Sequence, residues 1–67
     1  MKTSQKISLF RKEWKAKYAG LGIKPSEAEI RSYIQTSTMA LKHLTEEKQV
    51  KMAAAMAADY YRNKQIR

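Results

Sequence analysis

The chain lacks cysteine, and it has only one histidine, one proline and two glycines among its 67 residues. The absence of thiols excludes a disulfide framework, a thiolate zinc site and a cysteine nucleophile. A single histidine, His43, cannot build a multi-histidine metal site, and no catalytic constellation accompanies it. The scarcity of glycine and proline argues against a turn-rich β architecture. We therefore expect a helical protein that is not an enzyme and that holds neither a metal nor a cofactor.

Long hydrophobic runs are also missing. The longest apolar stretch covers residues 52–58, whereas a membrane-spanning helix needs about 20 apolar residues. No hydrophobic signal stretch follows residues 1–6. These observations predict a soluble protein that is either intracellular or packaged inside a larger assembly. Apolar residues still make up 43% of the chain, which is enough for one small core in a single domain over residues 1–67.

Two sequence signals divide the chain into three helical segments. The first is the turn-forming stretch 20–25, which contains both glycines and the proline. Ser26 and Glu29 follow it with the spacing of a capping box, in which the serine hydroxyl accepts a bond from a backbone amide of the first turn. The second signal is Thr45, a candidate N-cap that precedes two glutamates. The sequence therefore predicts helices over residues 5–19, 27–43 and 46–64.

Each predicted helix places its apolar side chains on one face when successive residues are set about 100° apart. In the third helix, methionines and a tyrosine widen the apolar face into a broad arc. We expect these stripes to form the core, with the third helix packing against more than one neighbour. The stripes comprise Ile7, Phe10, Trp14, Tyr18 and Leu21 in the first helix, Ile30, Tyr33, Ile34, Leu41 and Leu44 in the second, and Val50, Ala53, Ala54, Ala57 and Tyr61, widened by Met52, Met56 and Tyr60, in the third.

Positive charge dominates and is concentrated near the beginning of the chain. The chain has fourteen basic and six acidic residues, for a net charge of +8. Residues 1–20 hold six basic groups and one acidic group, a local net charge of +5, and a smaller basic group lies at Arg62, Lys64 and Arg67. Such a directional field attracts polyanions, and counterion release makes their binding sensitive to salt. Charge alone favours nucleic acid, with another acidic partner or a merely solvated surface as the alternatives, and nothing indicates a small-molecule substrate. We do not expect a membrane partner, because the apolar stripes of the first two helices are needed for the core.

Four segments, taken in order, resemble an HMG box. They are ISLFRKEW at 7–14, SEAEI at 26–30, LTEEK at 44–48 and YYRNK at 60–64. The resemblance implies an all-α fold of three helices arranged as an L, with the N-terminal segment packed along the third helix. The family's helix-2 tryptophan is missing, and its place falls on Leu41 or on Thr38. A compact three-helix bundle is the alternative architecture.

The resemblance also implies a function. The concave face of an HMG box enters the minor groove of duplex DNA, and side chains act as wedges that bend it. The first wedge position falls on Ser8, and Leu9, almost opposite the core stripe on the helical wheel, is the nearest apolar candidate. We therefore expect an intracellular, DNA-associated architectural protein that bends or compacts duplex DNA with little sequence specificity.

The candidate DNA-contacting residues are mostly cationic or hydroxyl side chains. The rival hypothesis is a protein-interaction module that uses the Met/Ala face of the third helix, including its use as a homodimer seam. The candidates for DNA contact are Lys2, Ser4, Lys6, Ser8, Leu9, Arg11, Lys12, Lys15, Arg31, Gln35, Lys42, Arg62 and Lys64.

Overall fold

A computed structural model describes residues 1–65 and shows three α-helices. Helix α1 spans Thr3–Lys17, α2 spans Glu27–Ala40 and α3 spans Glu46–Gln65. A short 3₁₀ turn, Ala19–Leu21, lies between α1 and α2. No strand occurs among these residues, so the prediction of an all-α domain with three helices is confirmed. None of the three helices is both long enough and apolar enough to span a bilayer.

The two predicted N-caps of α2 and α3 are present. The Ser26 hydroxyl accepts a hydrogen bond from the Glu29 amide at 3.2 Å and donates one to Glu29 Oε1 at 3.2 Å. Thr45 Oγ1 accepts from the Lys48 amide at 3.3 Å. Each cap satisfies an amide that the first helical turn would otherwise leave unpaired, so both helices begin within one residue of their predicted starts.

Helix α2 ends at Ala40 rather than at residue 43. Leu41 leaves the helical region, with φ −119° and ψ 45°. The buried Gln49 side chain donates from Nε2 to the carbonyl of Leu41 at 2.9 Å and to that of Leu44 at 3.2 Å. These bonds satisfy carbonyls that the end of α2 exposes. A residue from the next helix therefore stabilises the early end of α2, and the predicted boundary was wrong.

Helix α1 begins earlier than predicted. The Lys2 amide donates to Gln5 Oε1 at 2.9 Å, and the chain is helical from Thr3 onward. Ile7 already belongs to the buried face of this helix. The N-terminal segment that the HMG-box resemblance places along helix 3 is therefore helical from Thr3 onward.

Helix α3 is the central element of the core. Val50 and four alanines of α3 are fully buried. Their small side chains let α1 and α2 approach the α3 backbone closely, so that Ile7, Phe10 and Trp14 of α1 and Ile30 and Ile34 of α2 meet over it. The molecule measures 34 × 20 × 19 Å, and its long axis is close to the length of α3 itself, about 30 Å. This compact three-helix shape matches the alternative architecture.

Four side chains differ from the predicted core pattern. Leu9 is half-buried and packs against the core, so the expectation that it lies opposite the core was wrong. Met52 and Met56 keep 44% and 36% of their surface exposed, so the expectation that they belong to the core was wrong. Ser37 lies in the core instead, fully buried, and donates weakly to Met56 Sδ at 3.5 Å. The buried arc of α1 is wider than its stripe because both other helices pack around it.

A polar contact joins the start of α2 to the end of α3. The Tyr61 hydroxyl donates a hydrogen bond to Glu29 Oε2. This bond, helped by the hydroxyl of Ser26, lowers the pKa of Glu29. Burial, followed by the nearby Glu29 carboxylate, raises the pKa of Tyr61. The contact therefore favours an ionised glutamate beside a neutral tyrosine.

The Glu29–Tyr61 contact predicts a specific dependence of stability on pH. A carboxylate with a lowered pKa contributes stability above the ordinary glutamate pKa of about 4.3, and that contribution is lost as the pH falls through the lower pKa of the folded state. We expect Tyr61→Phe to lower the melting temperature at pH 7 and to lower it less at pH 3. Thermal unfolding followed by circular dichroism measures both differences. An equal difference at the two pH values would contradict the assignment.

Candidate nucleic-acid interface

One flank of α1 presents cations and hydroxyls without a carboxylate. Ser4, Ser8, Arg11, Lys12 and Lys15 are all exposed and follow helical spacing on the flank beside the buried stripe; we call this set the cationic face. Serine hydroxyls, lysines and arginines are the side chains that commonly contact phosphate oxygens. Five of the predicted DNA-contacting residues are thus brought together on one surface.

The single acidic residue of α1 lies off the cationic face. Glu13 is only partly exposed and accepts the Lys17 ammonium at 2.8 Å, which raises the pKa of Lys17 through that hydrogen bond and its charge. The ion pairs within residues 1–65 leave the three cations of the cationic face without a carboxylate partner. Their charge is therefore available to an external anion.

Two other predicted contacts at the beginning of the chain lie apart from this surface. Lys6 is half-buried on the opposite flank of α1, near Glu46. The pKa of Glu46 is lowered mainly by its bond to the Met1 amine, at 2.7 Å, and to a smaller extent by the charge of Lys6. Lys2 is the exposed N-cap residue of α1. Lys6 consequently interacts with α3 rather than extending the cationic face.

Helix α2 does not provide a second surface of unpaired cations. Arg31 and Gln35 are exposed one turn apart, but Arg31 lies 3.7 Å from a carboxylate oxygen of Glu27. The third predicted contact of this region, Lys42, does not lie on α2, because the helix ends at Ala40 and Lys42 belongs to the following turn. The charged residues of α2 are thus two glutamates and one arginine, and the arginine lies beside a glutamate.

The basic residues at the end of α3 are already engaged within the chain. The Arg62 guanidinium lies 5.8 Å from the centroid of the Tyr18 ring and 3.9 Å from Asp59. The Lys64 ammonium lies 5.9 Å from the centroid of the Tyr60 ring. Both contacts have cation–π geometry, which holds the side chains near the protein surface. Arg67 lies outside the described residues.

Lys24 lies beside the cationic face and was not among the predicted contacts. The Trp14 indole donates from Nε1 to the Ile23 carbonyl at 2.8 Å, and this bond draws the segment 18–26 back along α1. The result is an open cleft of about 900 Å³ between α1 and this segment, with Arg11, Lys15 and Lys24 among the residues that line it. We call it the α1–loop cleft.

One signal in the sequence points toward this fold-back. An indole N–H on a predicted core stripe requires an acceptor, and a loop carbonyl is a common one. Which carbonyl bonds to Trp14 depends on the path of the loop, which Gly22 reverses with a positive φ of 69°. Periodicity does not encode that path, so sequence reasoning missed Lys24.

Comparisons with protein-family models, with curated proteins and with solved structures find no match. The described residues also include no group of three His, Asp or Glu side chains placed to hold a metal ion. The candidate interface therefore depends on the geometry of the cationic face and the cleft beside it.

The reversal at Gly22 predicts a difference between the two glycines. A β-carbon at either position meets no neighbouring atom within 4 Å, so steric contact does not distinguish them. Only Gly22 has a positive φ, which costs an L-residue about 1 kcal/mol. We expect Gly22→Ala to destabilise the protein by about that amount, and Gly20→Ala to leave stability equal or slightly higher. Chemical unfolding measures both, and equal effects would contradict this explanation.

Proposed function

We propose that the chain binds double-stranded DNA through phosphate contacts made by the cationic face of α1. The supporting observation is that this face combines three exposed cations without carboxylate partners and two exposed serines. Arg11 and Lys15 stand one helical turn apart, with about 5–6 Å between their β-carbons, so each can contact a separate phosphate. Duplex DNA presents one negative charge for about every 1.7 Å of its axis, which such a row of cations can follow.

Phosphate contacts determine how a protein lies on the duplex but do not read its sequence. The proposed binding is therefore weakly sequence-specific, in keeping with an architectural or packaging role. The wedge residues implied by the HMG-box resemblance gain no support, because Leu9 packs against the core and Ser8 carries a hydroxyl. DNA bending and membership of that family stay predictions, and a gel assay with a permuted DNA site measures the bend directly.

Charge reversal on the cationic face tests the proposal. We expect Lys12→Glu combined with Lys15→Glu to weaken duplex binding at low salt by about tenfold or more. The slope of a plot of the logarithm of the binding constant against the logarithm of the salt concentration should also become shallower by about 2, since each lost phosphate contact reduces that slope by about 1. Fluorescence anisotropy with a labelled duplex at several salt concentrations measures both quantities.

The matched control is Lys48→Glu combined with Lys51→Glu on α3, which lowers the net charge equally. Both lysines are exposed, and Lys51 lies 3.4 Å from Glu47. This control should retain most of the affinity and nearly the full salt dependence. Equal losses in the two variants would show that net charge alone drives binding, and absence of binding at low salt would reject the proposal.

A second candidate function is self-association through α3. The alanines of this helix cannot contact a second chain, because Ala53, Ala54 and Ala57 are fully buried in the core. The remaining apolar row is Met52, Met56 and Tyr60, successively four residues apart, with Tyr60 52% exposed. Exposed methionines are adaptable contact residues.

Sedimentation equilibrium separates the two functions. If the methionine row is a dimer seam, the chain sediments as a dimer, and Met52→Ser combined with Met56→Ser converts it to a monomer that still binds DNA. A monomer at all concentrations would reject self-association and leave the DNA proposal unaffected.

A further inference from the structure

The α1–loop cleft has a property that phosphate binding does not require. Its lining also includes an apolar floor, in which Ile23 and Pro25 are partly exposed and Phe10 and Trp14 are buried. No acidic residue lines the cleft. A phosphate backbone has no apolar group that would gain from this floor, so the floor points to a different kind of ligand.

We propose that the α1–loop cleft binds an acidic peptide segment whose apolar side chain occupies the floor. Charge complementarity selects the peptide, since Arg11, Lys15 and Lys24 can face carboxylates on both sides of the apolar anchor. The volume of about 900 Å³ lies within the range of pockets that enclose drug-sized ligands, about 300–1,000 Å³. That is room for an anchoring side chain and its adjoining backbone.

The burial of the aromatic rings favours a peptide over a single-stranded nucleotide as the ligand. A base binds mainly by stacking on an exposed aromatic face. Here Phe10 and Trp14 lie parallel at an interplanar angle of 7°, and they expose 0% and 6% of their surfaces. The Trp14 indole N–H is already bonded to the Ile23 carbonyl. An aliphatic side chain needs only apolar contact, which the partly exposed Ile23 and Pro25 side chains supply.

The peptide site and the cationic face share two residues. Arg11 and Lys15 line the cleft and also belong to the cationic face, whereas Lys12 belongs to the face alone and Lys24 lines the cleft alone. Peptide and duplex therefore compete for the same cations. Peptide binding itself does not depend on the DNA proposal and is tested separately.

The single tryptophan provides a direct measurement. Because Trp14 is the only tryptophan of the chain and lies in the floor, its fluorescence reports on the cleft. The probes are a short acidic peptide with a central leucine and a control peptide with serine in that place. We expect the leucine peptide to change the Trp14 emission and to bind about tenfold more tightly than the serine peptide, as expected for burial of one aliphatic side chain.

Two single variants separate the cleft from the rest of the cationic face. Lys24→Glu should weaken binding of the leucine peptide about tenfold, since it replaces an attraction with a repulsion at the rim. Lys12→Glu makes the same change of charge and should leave peptide binding nearly unchanged. The circular dichroism spectra of both variants verify that the helices are retained.

Three results would overturn the proposal. Equal affinity for the leucine and serine peptides would show a purely electrostatic attraction. Equal loss of peptide affinity in Lys24→Glu and Lys12→Glu would place the peptide outside the cleft. A change in Trp14 emission with single-stranded oligonucleotide that exceeds the change with peptide, and that Lys24→Glu abolishes, would assign the cleft to a nucleotide instead.

Discussion

The Trp14 side chain joins the core of this small domain to its candidate binding surface. Its ring lies parallel to Phe10 and edge-on to Tyr61, which joins α1 to α3. Its N–H bonds to the Ile23 carbonyl and holds the segment between α1 and α2. That bond, together with the packing of Ile23 against the core, holds Lys24 close to Arg11 and Lys15. The arrangement of the cleft therefore depends on a hydrogen bond that also completes the burial of the indole.

The positions of the acidic residues leave the cationic face positively charged. Each of the six acidic side chains contacts a partner within the chain, and none belongs to the cationic face. Four of them pair with a lysine or arginine side chain three or four residues away, as is usual on solvated helices. The pairs on α2 and α3 neutralise part of the positive field there. The net charge of +8 is thus directional because of where the acids are, as much as where the bases are.

The sequence predicted the local features well and the non-local ones poorly. Ser26 and Thr45 mark the starts of α2 and α3 through bonds that span three residues, so a short motif is sufficient to locate them. The end of α2 depends on Gln49 in the next helix, and the burial of Leu9 depends on the packing of two other helices around α1. Of the candidate site, Ser4, Ser8, Arg11, Lys12 and Lys15 share a face as their spacing implies. Lys24 reaches it only through the path of a loop.

Exposed apolar surface alone does not identify a partner in a protein of this size. A domain of about 60 residues buries only about 60% of its unfolded surface, so single exposed side chains such as Met39 and Met52 are expected. The α1–loop cleft differs because its apolar floor is concave and lies under three cations, so one ligand must satisfy both chemistries. Arg11 and Lys15 belong to both this cleft and the cationic face. The two proposed ligands, an acidic peptide and duplex DNA, would therefore compete for the same charges. In a chain with one short cationic helix, such sharing is the physical basis on which one ligand can control the binding of another.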